Sequence, residues 1–205
     1  MRVRRAVAAL SAPRLQARGW ANRVVVEPVA RGLLALRIHP NAITLAGVAV
    51  AGGAAYLIGD GRLLAGGIVM LAGALMDLFD GAVARLGDKA SSFGAMLDSV
   101  MDRLGEAVVL FGLLAFYVRG GNDLGAYLAF GALAVSFMVS YLRARAEGLG
   151  VGGDVGLMGR PERVVVLGAG LLLGFPAWAL AIIVALGSLT VVQRVVHVWR
   201  AGRAA

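Results

Sequence analysis

Six apolar runs, roughly residues 42–58, 63–79, 93–118, 124–142, 164–173 and 176–196, alternate with short segments rich in Gly, Asp and Arg. At 1.5 Å per residue, about 20 helical residues cross the ~30 Å hydrocarbon core of a bilayer. The pattern therefore predicts an all-α integral membrane protein with six transmembrane helices. The first run follows Pro40-Asn41, where Asn41 can cap a helix that proline can precede but not continue. Gly59-Asp60-Gly61 and Gly120-Gly121-Asn122-Asp123 have the composition of tight reverse turns. Gly174-Phe175-Pro176 is compatible with a kink, but the stretch 164–196 is long enough for two spans.

Ahead of the first span the pattern changes. Over residues 14–37, Arg14, Arg18, Arg23 and Arg31 alternate with Trp20, Val24, Leu33, Leu34 and Leu36, which suits an amphipathic helix lying in the membrane surface. Pro28 is expected to break it. The basic start and short apolar run of the first ten residues also resemble the opening of a secretory signal, yet arginines follow immediately. The expected organisation is an interfacial segment, 1–39, and a six-helix transmembrane catalytic domain, 40–205.

Composition supports a membrane solvent. Hydrophobic residues make up 60% of the 205 and charged residues 16%, against roughly 45–50% and 25% in soluble domains. With a mean hydropathy of +0.82, the chain is neither disordered nor a solvated nucleic-acid binder, although its sequence pI is about 11.1. Its basic residues are unevenly placed. All except Arg62 and Arg119 fall on one side of the six expected spans, at both termini and in the even-numbered connections. Positive-inside counting makes that side, and both termini, cytoplasmic. The high pI then describes a face apposed to anionic lipid or a phosphate-bearing substrate, in the cytoplasmic membrane. No nucleic acid is implied. There is no cysteine, and His39 and His197 form no metal-binding pattern, so any metal here is bound by oxygen.

Eight of the twelve acidic residues are Asp, and Asp77, Asp80, Asp98 and Asp102 lie where the second run ends and the third begins. Asp77 and Asp80 are three apart and Asp98 and Asp102 four apart, so each pair shares a helix face. Two antiparallel helices joined by a short turn would gather the four carboxylates. An ionised Asp at the centre of a spanning helix costs about 2.5–3.5 kcal/mol, and even near the membrane surface four like charges repel. Arg85 and Arg103 could pair with some of them, but two arginines cannot neutralise four carboxylates. Two divalent cations can, and an oxygen-only cluster suits Mg²⁺ or Mn²⁺, the ions that polarise phosphoryl groups. An ion pathway through a transporter is the competing reading of intramembrane acids. It would move cations or protons without consuming a lipid substrate.

The run from Asp77-Leu-Phe-Asp80-Gly81-Ala-Val-Ala84-Arg85 through Gly94 and Asp98 to Asp102 matches D-x2-D-G-x2-A-R-x8-G-x3-D-x3-D at every fixed position. On these residues the chain resembles the CDP-alcohol phosphotransferases, and Pro40-Asn41-Ala-Ile-Thr44 looks like the start of that family's first span. The resemblance covers most of 40–194. It implies a transferase that joins a CDP-activated lipid to an alcohol and releases CMP. By the family's scheme Asp77, Asp80 and Asp98 bind two metal ions, while Asp102 completes the site and serves as the base. The CDP-lipid is expected at Asp77, Gly81, Ala84, Arg85, Asp98 and Thr44, and a homodimer is implied. The small Gly81 and Ala84 would leave room for a nucleotide, although small residues also serve helix packing.

Ser140-Tyr-Leu-Arg-Ala-Arg-Ala-Glu147 and Gly159-Arg-Pro-Glu-Arg163 resemble segments of the phosphatidylinositol phosphate and archaetidylinositol phosphate synthases, whose acceptor is inositol 1-phosphate. The bacterial enzymes tend to carry Lys where this chain has Arg143, a change that keeps charge but not geometry. Arg143, Arg160 and Arg194 are expected to form an acceptor-phosphate pocket; a basic loop facing lipid headgroups is the plainer reading. Glycerol 3-phosphate is also a phosphorylated acceptor, so a phosphatidylglycerol phosphate synthase is the alternative. Glu106 extends the Asp98–Asp102 ladder by four residues.

Overall fold

The structure, a computed structural model, describes residues 27–36, 39–87 and 91–203. Within them lie seven helices: α1 Glu27–Ala35, α2 Pro40–Gly59, α3 Leu63–Leu86, α4 Ser92–Arg119, α5 Asp123–Gly148, α6 Arg160–Leu172 and α7 Pro176–Gly202. No strand occurs among the described residues. The start of the expected surface helix, with Arg14, Arg18 and Arg23, lies outside them, as does the signal-like opening. Pro28 stands in the first turn of α1, where a missing N–H has no intrahelical acceptor to lose.

Helix ends follow local chemistry. Pro40 is itself the first residue of α2, two positions earlier than a cap at Asn41 requires. His39 does the capping: its Nδ1 accepts from the Asn41 N–H at 3.3 Å. Asn122 caps α5, its Oδ1 accepting from the Gly125 N–H at 2.8 Å. The chain reverses between α6 and α7 at Gly174, whose φ of 77° is left-handed, and Pro176 opens α7. This is a turn between two helices and not a kink in one. At 13 residues, α6 is about 20 Å long, shorter than a full bilayer crossing.

Among the described residues three helices are long and apolar enough to cross a membrane: α2, α5 and α7. The apolar part of α3 ends at Asp77, and α4, though 28 residues long, carries Asp98, Asp102, Arg103 and Glu106. The surface is rich in exposed large apolar groups, including Tyr56, Phe111, Tyr127, Phe130 and Trp178, as a lipid solvent permits. Trp199 near the end of α7 lies under the Arg203 guanidinium, 4.0 Å from the ring centroid.

The chain forms two compact units. One comprises the described residues up to Ala46 together with Leu75–Ser99. Among the described residues its buried apolar cluster comprises Ala30 of α1, Ile43 of α2, and Ala82 and Val83 of α3, flanked by Leu34 and Met76. The other comprises Gly47–Ala74 and Val100–Ala205. There α5 lies against α7 and α6 packs on α7, around Ile58, Leu110, Leu113, Leu171, Leu180 and Ile183. Small residues set this packing. A Cβ on Gly112 of α4 would stand 2.5 Å from the Ala55 carbonyl oxygen, so only glycine lets α4 approach the α2 backbone so closely. Gly170 is used in the same way within the chain, since its Cβ would meet that of Ala179 at 2.4 Å.

Candidate active site

The motif falls on two continuous helices. Asp77, Asp80, Gly81, Ala84 and Arg85 all belong to α3, which runs beyond the apolar stretch to Leu86, and Gly94, Asp98 and Asp102 belong to α4. Helical geometry alone places Asp80 about a turn from Asp77, and Asp102 and Glu106 successive turns from Asp98. Asp77, Asp98 and Asp102 are partly buried. The side chains of Asp80, Gly81, Ala84 and Arg85 lie outside the described residues. Gly94 has a steric reason to be glycine, because a Cβ there would come within 3.1 Å of Ser91 Oγ, which caps the helix by accepting from the Gly94 N–H at 3.0 Å. Thr44 is buried, with its Oγ1 donating to the Pro40 carbonyl at 3.3 Å.

Among the described residues no three carboxylate or imidazole groups form a metal-holding set, and the fourth motif carboxylate, Asp80, is not among those side chains. The donor chemistry fits a hard divalent cation: partly buried aspartates at helical spacing, with no sulfur or nitrogen ligand among them.

The three arginines expected to form the acceptor pocket, Arg143, Arg160 and Arg194, are in the second unit with Arg163, and the four divide by burial. Arg160 sits at the start of α6 with its Nη1 2.8 Å from Asp102 Oδ1. Arg143, about half exposed, pairs through Nε with Glu147 one turn along α5 at 2.9 Å and lies 3.6 Å from Asp154. Arg194 is buried. Its Nε donates to the Val155 carbonyl at 2.8 Å and its Nη1 to that of Val139. Two of its three nitrogens thus tie the 149–159 loop and α5 to α7. Arg163 is buried too, and its fork is filled by Glu106, with Nε to Oε1 at 2.5 Å and Nη2 to Oε2 at 2.7 Å. The structure thus brings Arg160 to the motif helix α4, while Arg194 and Arg143 are engaged around the loop.

Residues that the motif does not contain hold that loop. Met158, itself buried, donates its N–H to Thr190 Oγ1 at 3.0 Å, and Thr190 donates onward to the Leu186 carbonyl at 2.8 Å. Gly156 has φ 119° and lies so close to Thr190 that a Cβ would meet its methyl group at 2.3 Å. An isolated Thr in an apolar helix gives no sequence signal for this role. The Gly-rich segment before Arg160 is a faint one.

The family model for CDP-alcohol phosphatidyltransferases matches residues 37–201, most of the chain. The chain belongs to that family. It is therefore a membrane-associated phosphatidyltransferase enzyme of phospholipid biosynthesis. Among its relatives is the archaetidylinositol phosphate synthase of Methanothermobacter thermautotrophicus, 35% identical over 87% of this chain and 90% of the relative. The phosphatidylinositol phosphate synthase of Mycobacterium marinum is 38% identical over 85% of this chain and 80% of its own length. The phosphatidylinositol phosphate synthase of Mycobacterium tuberculosis has been solved with CDP-DAG bound, and this phosphatidyltransferase superimposes on it with a TM-score of 0.78 at 31% identity, over 85% and 94% of the two chains. Against the same mycobacterial enzyme in complex with manganese and citrate the TM-score is 0.79, at 31% identity over 85% and 89%.

Proposed function

We propose that this enzyme transfers a phosphatidyl, or related lipid-phosphoryl, group from a CDP-linked lipid such as CDP-diacylglycerol to a hydroxyl of inositol 1-phosphate, releasing CMP. The observation that carries the reading is Arg160 Nη1 at 2.8 Å from Asp102: a phosphate-seeking guanidinium stands beside the carboxylate assigned as base. The relatives with inositol-phosphate names, and the one crystallised with CDP-DAG, support it.

Asp102 accepts the proton of the acceptor hydroxyl. The freed oxygen forms a bond to the lipid-side phosphorus, and the bond from that phosphorus to the CMP oxygen breaks, the negative charge leaving with CMP. Asp77, Asp80, Asp98 and Asp102 would hold two Mg²⁺ or Mn²⁺ ions, which when bound would supply positive charge to the CDP-lipid's diphosphate and to the departing CMP. Gly81 and Ala84 leave space for the nucleotide, with Thr44 and Arg85 beside it. Arg160, with Arg143 and the remaining nitrogen of Arg194, binds the acceptor's phosphate. Arg160 passes from Asp102 to that phosphate as the acceptor arrives, which leaves the base free to take the proton.

The same reading places six spans in the cytoplasmic membrane, with 1–39 as an interfacial segment, 40–205 as the catalytic domain, and both termini and the site facing the cytoplasm. The arginine distribution supports that orientation. The enzyme works as a homodimer.

The test is CMP release by purified enzyme given CDP-diacylglycerol and a panel of free and phosphorylated alcohols. Inositol 1-phosphate is expected to be preferred over inositol, and Arg160→Ala to raise its KM about tenfold to hundredfold, the loss of one charge-assisted contact. The KM for CDP-lipid should hardly change. Preference for glycerol 3-phosphate would move the acceptor assignment to the phosphatidylglycerol phosphate class.

A further inference from the structure

Within the second unit, the start of α3 and the end of α6 border an open groove of about 610 Å³, lined by residues 61–65 and 171–174. That volume is in the range of small-molecule sites, roughly 300–1,000 Å³. One turn further along α3 the two helices touch, since a Cβ on Gly67 would stand 2.8 Å from that of Leu171. The groove therefore ends where the helices meet. Arg160 opens α6 and Leu172 closes it, roughly 18 Å apart along the axis, so the groove is at the opposite end of α6 from Arg160.

The walls are apolar and the mouth is charged. Leu64, Leu172 and Leu173 are exposed along it. Tyr56 in the last turn of α2 and Trp178 in the first turn of α7 are also exposed, as aromatic residues are where hydrocarbon gives way to headgroups. Arg62 lies at the mouth with its Nε 3.1 Å from Asp60 Oδ2, and the two side chains are 69% and 47% exposed. A pair this exposed adds little to stability. It does hold a positive and a negative group side by side at the edge of an apolar groove, each open to a ligand. A headgroup with only negative charge would meet Asp60 as well as Arg62. One that carries both a phosphate and an ammonium matches the two together.

We propose that this groove binds a zwitterionic phospholipid of the phosphoethanolamine type, with its phosphate on Arg62, its ammonium on Asp60 and an acyl chain between α3 and α6. The lipid fills the space beside a helix that, at 13 residues, is too short to cross the bilayer. It joins the turn before α3 to the turn after α6, and so serves stability and not transfer.

The experiment adds dioleoyl phosphatidylethanolamine or dioleoyl phosphatidylglycerol to the enzyme in detergent, and reads retained lipid by native mass spectrometry together with Tm. Wild type should hold the ethanolamine lipid about tenfold more tightly than the glycerol lipid, as one additional charge-assisted contact predicts, and gain more in Tm from it. Asp60→Asn should abolish this preference, and Arg62→Gln should weaken retention of both lipids about tenfold. Ala65→Phe fills the groove and should remove retention altogether. All three side chains are exposed, so the variants keep the packed core. KM for CDP-lipid should stay within about twofold throughout. Equal retention of the two lipids by wild type, or preference for the glycerol lipid, would overturn the proposal. So would ethanolamine-lipid retention by Ala65→Phe equal to that of wild type, or a CDP-lipid KM that rises in that variant, which would make the groove part of the transfer site.

Discussion

The two units of this enzyme handle charge differently. In the unit with Asp77, Asp80 and Asp98, the buried apolar cluster among the described residues is Ala30, Ile43, Ala82 and Val83. The other unit packs large side chains such as Ile58, Leu110, Leu113 and Leu180, and its most buried arginines, Arg163 and Arg194, are matched by a carboxylate fork and by backbone carbonyls. Carboxylates meant for a cation cannot be deeply packed in apolar surroundings, since desolvation favours their neutral form. Asp77, Asp80 and Asp98 belong to the first unit, whereas Asp102 and these arginines belong to the second, where Arg163 and Arg194 are held by buried partners.

Exchanging Asp98 for Asn tests this contrast most severely. Asp98→Asn and Asp102→Asn should each lower transfer by a factor of about 10²–10⁴, the range for loss of a group acting on the reacting atoms. Tm should change little, because Asn keeps the shape of Asp and both positions are partly exposed to solvent screening. Turnover near wild type in either variant would remove these residues from the site. Chelation should reproduce the loss in wild-type enzyme, with Mg²⁺ or Mn²⁺ restoring activity. Full activity in metal-free buffer would leave the aspartates with a structural role only.

Gly112→Val should do the opposite. Its side chain would meet the Ala55 backbone, and forcing α2 and α4 apart should cost up to about 3 kcal/mol. The expected result is a Tm lowered by several degrees, with KM values unchanged in the surviving enzyme. An unaltered melting curve would show that the close approach contributes nothing to the packed unit.

Thr190→Val should have the smallest effect. It removes the acceptor for the Met158 N–H and should cost about 1 kcal/mol. A small drop in Tm, with a rise in acceptor KM below that of Arg160→Ala, would connect the loop to acceptor binding. A change confined to CDP-lipid KM would disconnect it.

Much of the site was legible because its residues are helical neighbours. The spacings of Asp77 to Asp80 and of Asp98 to Asp102 convert directly into shared helix faces. The turns at Gly61 and Gly121 were likewise announced by glycines, which adopt φ values of 84° and 64°. The division of labour among the arginines was not legible. Sequence groups Arg143, Arg160 and Arg194 into one expected pocket, whereas the fold buries Arg194 and leaves Arg143 and Arg160 partly exposed.

By itself, then, the sequence determined a helical membrane protein of this family and the four carboxylates of its motif, because membrane solvation and helical periodicity act over a few consecutive residues. Tertiary structure alone decided that Arg163 meets Glu106, 57 positions away, and that Arg194 binds the carbonyls of Val139 and Val155. It also decided that α4 approaches the α2 backbone at Gly112. Such contacts depend on which faces of distant helices meet, and many alternative pairings of like residues share the same local pattern. Only the packed fold selects among them, because only there is a buried charge or carbonyl left without water and obliged to find a partner.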